Sequence, residues 1–334
     1  ASGSALVFGS RESSGLPDIF PAGPVIAPVS VYSWPTCYVL QVRQGNFIVS
    51  RSTYGRTGSM SDSDLVIPPL PQVVMEIMKY DTESPDSSAA EVEKLIAPDR
   101  GICSEILRVA NSAYYGRSGR IKLMRDAITL LGLKALKNLI IFISTRQIAT
   151  DLKSPVFKKY LTEYPVLSAL IAEEVAKRFK HPELADEAFL SGLLYNIGMS
   201  ILALNKGDHY AFLIEQAEQN GFDLRELEQS SYGTTHAEAG REAAKKWNLP
   251  ESLLHSMELT ITNLNGSDDL GKITVLSAAL GQAGAGIPLD AKSRAAVQAA
   301  YQTSGDQADP FEKIISEPQL KRYKSHPYFQ LAAG

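Results

Sequence analysis

The sequence predicts a mostly α protein, an all-α helical bundle behind a small β-rich N-terminal segment. Three observations predict it. From Ile67 onward, apolar residues recur at spacings of three and four. Capping residues and Gly or Pro breaks fall between those runs. The start of the chain has a different texture: lysine is absent before Lys79, and nine of the first 35 residues are Gly or Pro. Such a stretch cannot form a long helix, because Pro lacks an amide donor and Gly costs helix stability.

Taken in order, residues 37–42 and 47–49 are β-prone runs on either side of Arg43-Gln44-Gly45-Asn46, the signature of a hairpin. Residues 50–64, rich in Ser, Gly and Asp, read as a linker. Pro68-Pro69-Leu70-Pro71 forms an extended lead-in, with Pro71 in the first turn of a helix carrying Val74, Ile77 and Met78. Asp86-Ser87-Ser88 caps a second helix, and Pro98-Asp99 opens a third. The strongest helical signal covers 126–148, where Gly132 marks either close helix packing or a break between two helices. Leu167, Leu170, Ile171, Val175 and Phe179 line a further amphipathic run. The run 188–204 is almost wholly apolar and belongs at the centre of the bundle. Gly221-Phe222-Asp223, Leu249-Pro250 and Asn265-Gly266-Ser267 separate the later helices. Three regions follow: a β-rich module and linker at 1–65, an all-α domain at 66–290, and a helical C-terminal extension at 291–334.

Composition narrows the function. Apolar residues make up 44% and charged residues 21%, an ordinary globular balance. With 33 Lys+Arg against 37 Asp+Glu, the net charge of −4 argues against a dedicated nucleic-acid binder. Two cysteines, Cys37 and Cys103, form no disulfide framework and fit a reducing, cytoplasmic setting. No run reaches the roughly 18 apolar residues of a membrane span, so none is expected. Five histidines in no metal-ligand spacing leave little for zinc. Gly281-Gln282-Ala283-Gly284-Ala285-Gly286 follows a helical run rather than a strand, and reads as a helix C-terminal break rather than a nucleotide loop. Cys103 sits beside Ile102 and Ile106 as a buried, inert thiol. Glu173-Glu174 and Asp268-Asp269 read as solvated faces or caps, since helix neighbours do not face one another.

Five strings stand in order: 67–71 (Ile-Pro-Pro-Leu-Pro), 108–116 (Arg-Val-Ala-Asn-Ser-Ala-Tyr-Tyr-Gly), 126–133 (Asp-Ala-Ile-Thr-Leu-Leu-Gly-Leu), 191–198 (Ser-Gly-Leu-Leu-Tyr-Asn-Ile-Gly), and 235–240 (Thr-His-Ala-Glu-Ala-Gly) ahead of Lys246-Trp247-Asn248-Leu249-Pro250. In this order and spacing, residues 66–286 resemble an HDOD domain, the output-domain relative of the HD metal-dependent phosphohydrolases. The resemblance implies an all-α bundle in a bacterial signalling protein that acts through a protein partner. Catalytic HD relatives hold metal with a histidine, an adjacent His-Asp pair and a further aspartate. At the matching positions this chain has Tyr164, then Tyr195-Asn196, and the paired histidines downstream fall near Thr260-Ile261. Neutral tyrosine is a poor metal donor, and Asn offers only a carbonyl oxygen. The resemblance therefore implies a degenerate site, with no metal, no cofactor and no catalysis expected. An atypical metal-dependent phosphohydrolase is the competing reading.

His236 matches a family position. It is either a polar contact surviving from the ligand set, or a residue that caps a helix or satisfies a buried group. No carboxylate or second histidine lies close in sequence, which favours the second role. His181, His209, His255 and His326 read as surface residues. Between 106 and 125, Arg108, Arg117, Arg120, Lys122 and Arg125 are interleaved with Tyr114 and Tyr115 and with no carboxylate after Glu105. Cations beside aromatics can hold an anionic ligand such as a nucleotide, a nucleic acid or an acidic protein face. An exposed loop of solvated charges, with Tyr115 packed, is the favoured reading, since such clusters are often only solvated surface. Asn111 is expected to fix that loop through side-chain bonds to backbone.

Overall fold

The computed structural model describes strands within 31–52 as backbone, and residues 65–333 apart from 83, 85–86, 117–119, 149–151, 265 and 305–310. The chain divides into two units, Ala1–Thr57 and Gly58–Gly334. In the first, β1 (Val31–Ser33), β2 (Thr36–Arg43) and β3 (Asn46–Ser52) pair antiparallel in that order, with Arg43 opposite Asn46. Residues 50–52, expected at the start of the linker, belong to β3. The rest of the expected β-rich module and linker lies outside the described residues.

The second unit is all helical. α1 (Gln72–Lys79) follows Pro71, whose extended backbone makes it the residue before the helix rather than part of its first turn. Ser88 and Asp99 accept the Glu91 and Ile102 amides and so start α2 (Ala89–Ile96) and α3 (Arg100–Ala110). Gly132, at φ +80°, separates α4 (Met124–Leu131) from α5 (Leu133–Gln147), which meet at 109°. The break is backbone turning, not close packing, since a Cβ there would meet nothing within 4 Å.

A short turn α6 (Pro155–Phe157) and a π-helical turn (Lys158–Glu163) run into α7 (Tyr164–Arg178). Then come α8 (Ala185–Leu194), α9 (Ile197–Lys206), α10 (Asp208–Asn220), α11 (Leu224–Tyr232), α12 (His236–Lys246), α13 (Glu251–Glu258) and α14 (Asp269–Gly284). Asp268 caps α14 by accepting the Gly271 amide, the capping role open to that acidic pair.

The centre of the bundle is where α7, α8 and α14 cross. Ser168 of α7 is wholly buried. A Cβ on Gly192 would stand 2.8 Å from the Ser168 carbonyl oxygen, and one on Gly281 would stand 2.4 Å from Ser168 Oγ. Gly281 and Gly284 therefore lie inside α14. Gly281 serves helix contact, and the break comes at Gly286, whose φ is +73°. The apolar stretch does occupy the core. Contrary to the expectation from composition, Pro182–Lys206 is long and apolar enough to cross a membrane, but 89% of its most apolar window is buried within the bundle.

The last helices are α15 (Ala291–Ser304), α16 (Glu317–Lys324) and α17 (Pro327–Ala333). The sequence leaves open whether this extension docks on its own domain or on a partner; in the structure α16 and α17 dock on their own bundle. The Tyr328 hydroxyl donates to Ala135 O at 3.0 Å, and its ring packs against Phe142 and Phe189. Arg146 donates to the Leu331 carbonyl. Gln319 and Tyr323 both donate to Glu174 at 2.6 Å, and Arg178 pairs with the same carboxylate. Glu174 thus ties α16 down rather than facing solvent. His326, expected at the surface, is half-buried between Tyr114 and Tyr328.

Candidate functional site

The positions read from sequence as former metal ligands do meet in space. Tyr164 begins α7; Tyr195 and Asn196 form the junction of α8 and α9. Their side chains lie in the interior, 6%, 9% and 5% exposed. The Tyr195 hydroxyl donates to Leu259 O at 2.7 Å, immediately before Thr260-Ile261. Ile261 packs on the small apolar cluster of Tyr195, Leu259, Val275 and Ala278.

Burial raises both phenols above their ordinary range, with Arg225 of α11 pulling each partly back. Both stay protonated and neutral near pH 7, so neither offers a phenolate to a cation. The one O–H of Tyr195 is already engaged with the Leu259 carbonyl. Arg225 Nη2 approaches the Tyr195 hydroxyl at 3.5 Å, placing a fixed positive charge beside this pocket. The Asn196 amide faces the Tyr164 hydroxyl without closing a hydrogen bond of normal geometry, and its Nδ2 is buried without a partner. Among the described residues, no three His, Cys, Asp or Glu side chains gather as a metal set. Neutral phenols, an amide nitrogen and a guanidinium do not fit a divalent cation.

Beside this site sits a network that sequence reading missed. Glu228 of α11 is fully buried, and His236 begins α12. The Glu228 carboxylate accepts the His236 backbone amide at 2.8 Å and the Tyr210 hydroxyl at 2.5 Å, and lies 2.7 Å from His236 Nδ1. His236 therefore does have a carboxylate neighbour, one turn-and-loop upstream. It satisfies a buried group, while Thr235 and Glu238 complete a capping box on the same helix. The available signal was Glu228 falling next to Leu227 on the apolar side of α11.

The basic segment is arranged otherwise. Asn111 Nδ2 donates to Leu107 O and Ile121 O, and its Oδ1 accepts the Ile121 amide, clasping both ends of the loop. Tyr115 is half-buried, and burial pushes its hydroxyl up to about 12. Arg125 pairs with Glu93 at 3.1 Å, and Arg108 with Glu105 at 2.6 Å. Arg120 and Lys122 are exposed; Arg117 lies outside the described residues. The structure does not bring these cations to the Tyr195–Asn196 site. Cys103 is half-buried rather than buried; its thiol donates to Ile96 O and is raised by desolvation.

An all-α bundle with a closed polar junction at the start of α9 defines the class: an HD-related helical domain. The HDOD domain model matches residues 67–261, and the chain belongs to the HDOD domain family. A solved HDOD domain protein of unknown function from Geobacter sulfurreducens superposes with a TM-score of 0.61 at 20% identity, covering 80% of this chain and 93% of its own. A structure from Marinobacter aquaeolei VT8, provisionally named a signal transduction protein, gives 0.61 at 18% identity, covering 80% of this chain and 59% of its own. One from Shewanella amazonensis SB2B, provisionally named a phosphohydrolase, gives 0.59 at 22% identity, covering 80% and 95%. An uncharacterized Treponema pallidum (strain Nichols) protein is 26% identical over 213 residues, 64% of this chain and 41% of that relative's length. At these identities the solved structures share the fold.

Proposed function

We propose that the chain is a signal-transduction output module that acts by binding a protein partner and is catalytically inactive. Residues 66–290 form its body, and the cytoplasm is its setting. The single observation that supports this reading is the chemistry at Tyr164, Tyr195 and Asn196. Activating water on a metal needs anionic or imidazole donors converging on one point. Here the positions carry neutral phenols and an amide, and the Tyr195 hydroxyl is spent on the Leu259 carbonyl. Regulation then works by differential affinity: a partner that binds one packing of the bundle better shifts the population toward it.

The test has two arms. Purified chain is assayed for bound Mn, Fe, Ni and Zn and for phosphodiester hydrolysis; neither stoichiometric metal nor turnover is expected. Metal together with turnover would show an atypical phosphohydrolase instead. Affinity capture from the source cell, followed by reconstitution with the purified candidate, tests partner binding. Failure of every reconstituted pair to associate sinks that half of the reading.

A further inference from the structure

Two stretches of the chain are rich in cations and carry no Asp or Glu. Residues 106–125 hold Arg108, Arg117, Arg120, Lys122 and Arg125, and residues 318–334 hold Lys321, Arg322 and Lys324. They are far apart in sequence, and the structure brings them together. The Tyr114 ring stands 4.7 Å from that of His326 and 5.2 Å from that of Tyr115, edge-on to both. His326 follows the end of α16, and Arg322 is near enough to disfavour its protonation. The Asn111 clasp on Ile121 folds Arg120 and Lys122 back toward the turn that carries Tyr114.

Three features set this face apart from ordinary solvated charge. Its cations are unbalanced. Glu105 and Glu93 answer Arg108 and Arg125, and Glu173 and Glu174 answer Lys177 and Arg178. Among the described residues, no carboxylate pairs with Arg120, Lys122, Lys321, Arg322 or Lys324, all of them exposed. It also shows apolar surface: Tyr114, 53% exposed, and Leu123, 64% exposed, are two of the four large apolar side chains left open among the described residues. Finally, it is ordered in advance. Two rings brace Tyr114 and Asn111 clasps the loop, so little freedom remains to be lost on binding.

We propose that this face, made by the 111–123 loop and α16, docks an acidic segment of the protein partner. The segment's carboxylates meet the unpaired cations, and its apolar side chains rest on Tyr114 and Leu123. This rests on the reading that the chain works through a protein partner, and it names the surface and the chemistry of what binds there. A nucleic acid fits less well. The net charge of −4 repels a polyanion at a distance. Of the loop's two tyrosines, Tyr115 is packed inward, which leaves Tyr114 alone for stacking, and Leu123 offers nothing to a phosphate backbone.

Full-length chain is titrated with a short fluorescent peptide in which Glu and Asp flank a Leu-Phe pair. The controls are a peptide with Ser in place of that pair, one with Lys in place of the acids, and a single-stranded oligonucleotide of equal charge. The first peptide should bind saturably, at a Kd of about 100 μM or tighter, and more weakly as salt rises. The Lys control should not bind. Arg120→Glu with Lys122→Glu, and separately Lys321→Glu with Arg322→Glu, should each weaken binding about tenfold or more. A thermal midpoint equal to that of the unaltered chain checks that each folds. Should a reversed chain fail to fold, Gln at the same pairs should still weaken binding about threefold. The proposal is overturned if the first peptide does not saturate, if either folded pair leaves its affinity unchanged, if the Ser or Lys control binds equally, or if the oligonucleotide binds more tightly. A reconstituted partner whose affinity ignores both reversals leaves partner binding standing and overturns this face alone.

Discussion

Glu228 carries the largest burden of any single residue. One carboxylate with no exposed surface answers a backbone amide, a tyrosine hydroxyl and an imidazole nitrogen. Glu228→Ala leaves three buried polar groups without that partner and should lower the unfolding free energy by about 3 kcal/mol or more, measured by urea denaturation. His326 makes a prediction about acidity. Desolvation is the main cause that lowers it from 6.5 to about 4, and its Nδ1 accepts the Tyr328 amide only when unprotonated. The unfolded chain therefore takes up the proton first. Stability is complete above roughly pH 6.5 and falls as pH drops toward 4, by about 2 kcal/mol between pH 7 and pH 5. His326→Leu should flatten that part of the pH–stability curve; an unchanged slope would assign it elsewhere. At this scale Tyr195 and Asn196 could be singled out because they sit within the 191–198 string. Glu228, Arg225 and the burial of His326 were not legible, because each depends on contacts between helices that local sequence does not encode.

Helix crossings explain Gly192, Gly198 and Gly240 of the motif strings. A Cβ on Gly198 of α9 would stand 1.8 Å from the His236 carbonyl oxygen of α12, and Gly240 of α12 lies against the Gly198 backbone. The two helices touch main chain to main chain at the point that sets Asn196 and His236 in place. Gly198→Ala must push α12 away. The expected cost is about 3 kcal/mol, at the upper end of overpacking penalties, read as a lowered thermal midpoint. Gly116→Ala, with open space around its Cβ but a φ of +62°, should cost less, about 1 kcal/mol. Most elements were legible for a simple reason: caps such as Asp99 and Ser88, and breaks such as Gly132, act locally. The 281–286 string does hold the end of α14, but the separate role of Gly281 was not legible, because a small residue that ends a helix and one that admits a neighbour look alike until the neighbour is known. The apolar run of α8 and α9 was ranked correctly as core, since its all-round hydrophobicity demands cover on every side.

For the whole molecule, the C-terminal extension is part of the bundle. Tyr328 fills a space between Phe142 and Phe189, and Tyr323 and Gln319 hold Glu174. A chain ending at residue 290 should expose that apolar space and leave Glu174 with Arg178 alone. It should unfold at lower temperature and bind a hydrophobic dye before unfolding, as expected of a newly opened apolar patch. A midpoint equal to that of the full chain would mean the extension is dispensable. The sequence could not decide this docking, because half of α16 is charged and its few anchoring residues are spread along it.

The entry of the chain into the bundle has a mechanical implication. Asn205 grips Val66 from both sides of its peptide, accepting its amide at 2.8 Å and donating to its carbonyl at 3.0 Å. Trp247, in turn, holds Pro68 O at 2.9 Å. Asn205 lies at one end of α9 and Asn196 precedes the other. Asn205→Ala therefore removes both bonds that seat Val66 on the bundle without touching the polar junction a helix length away.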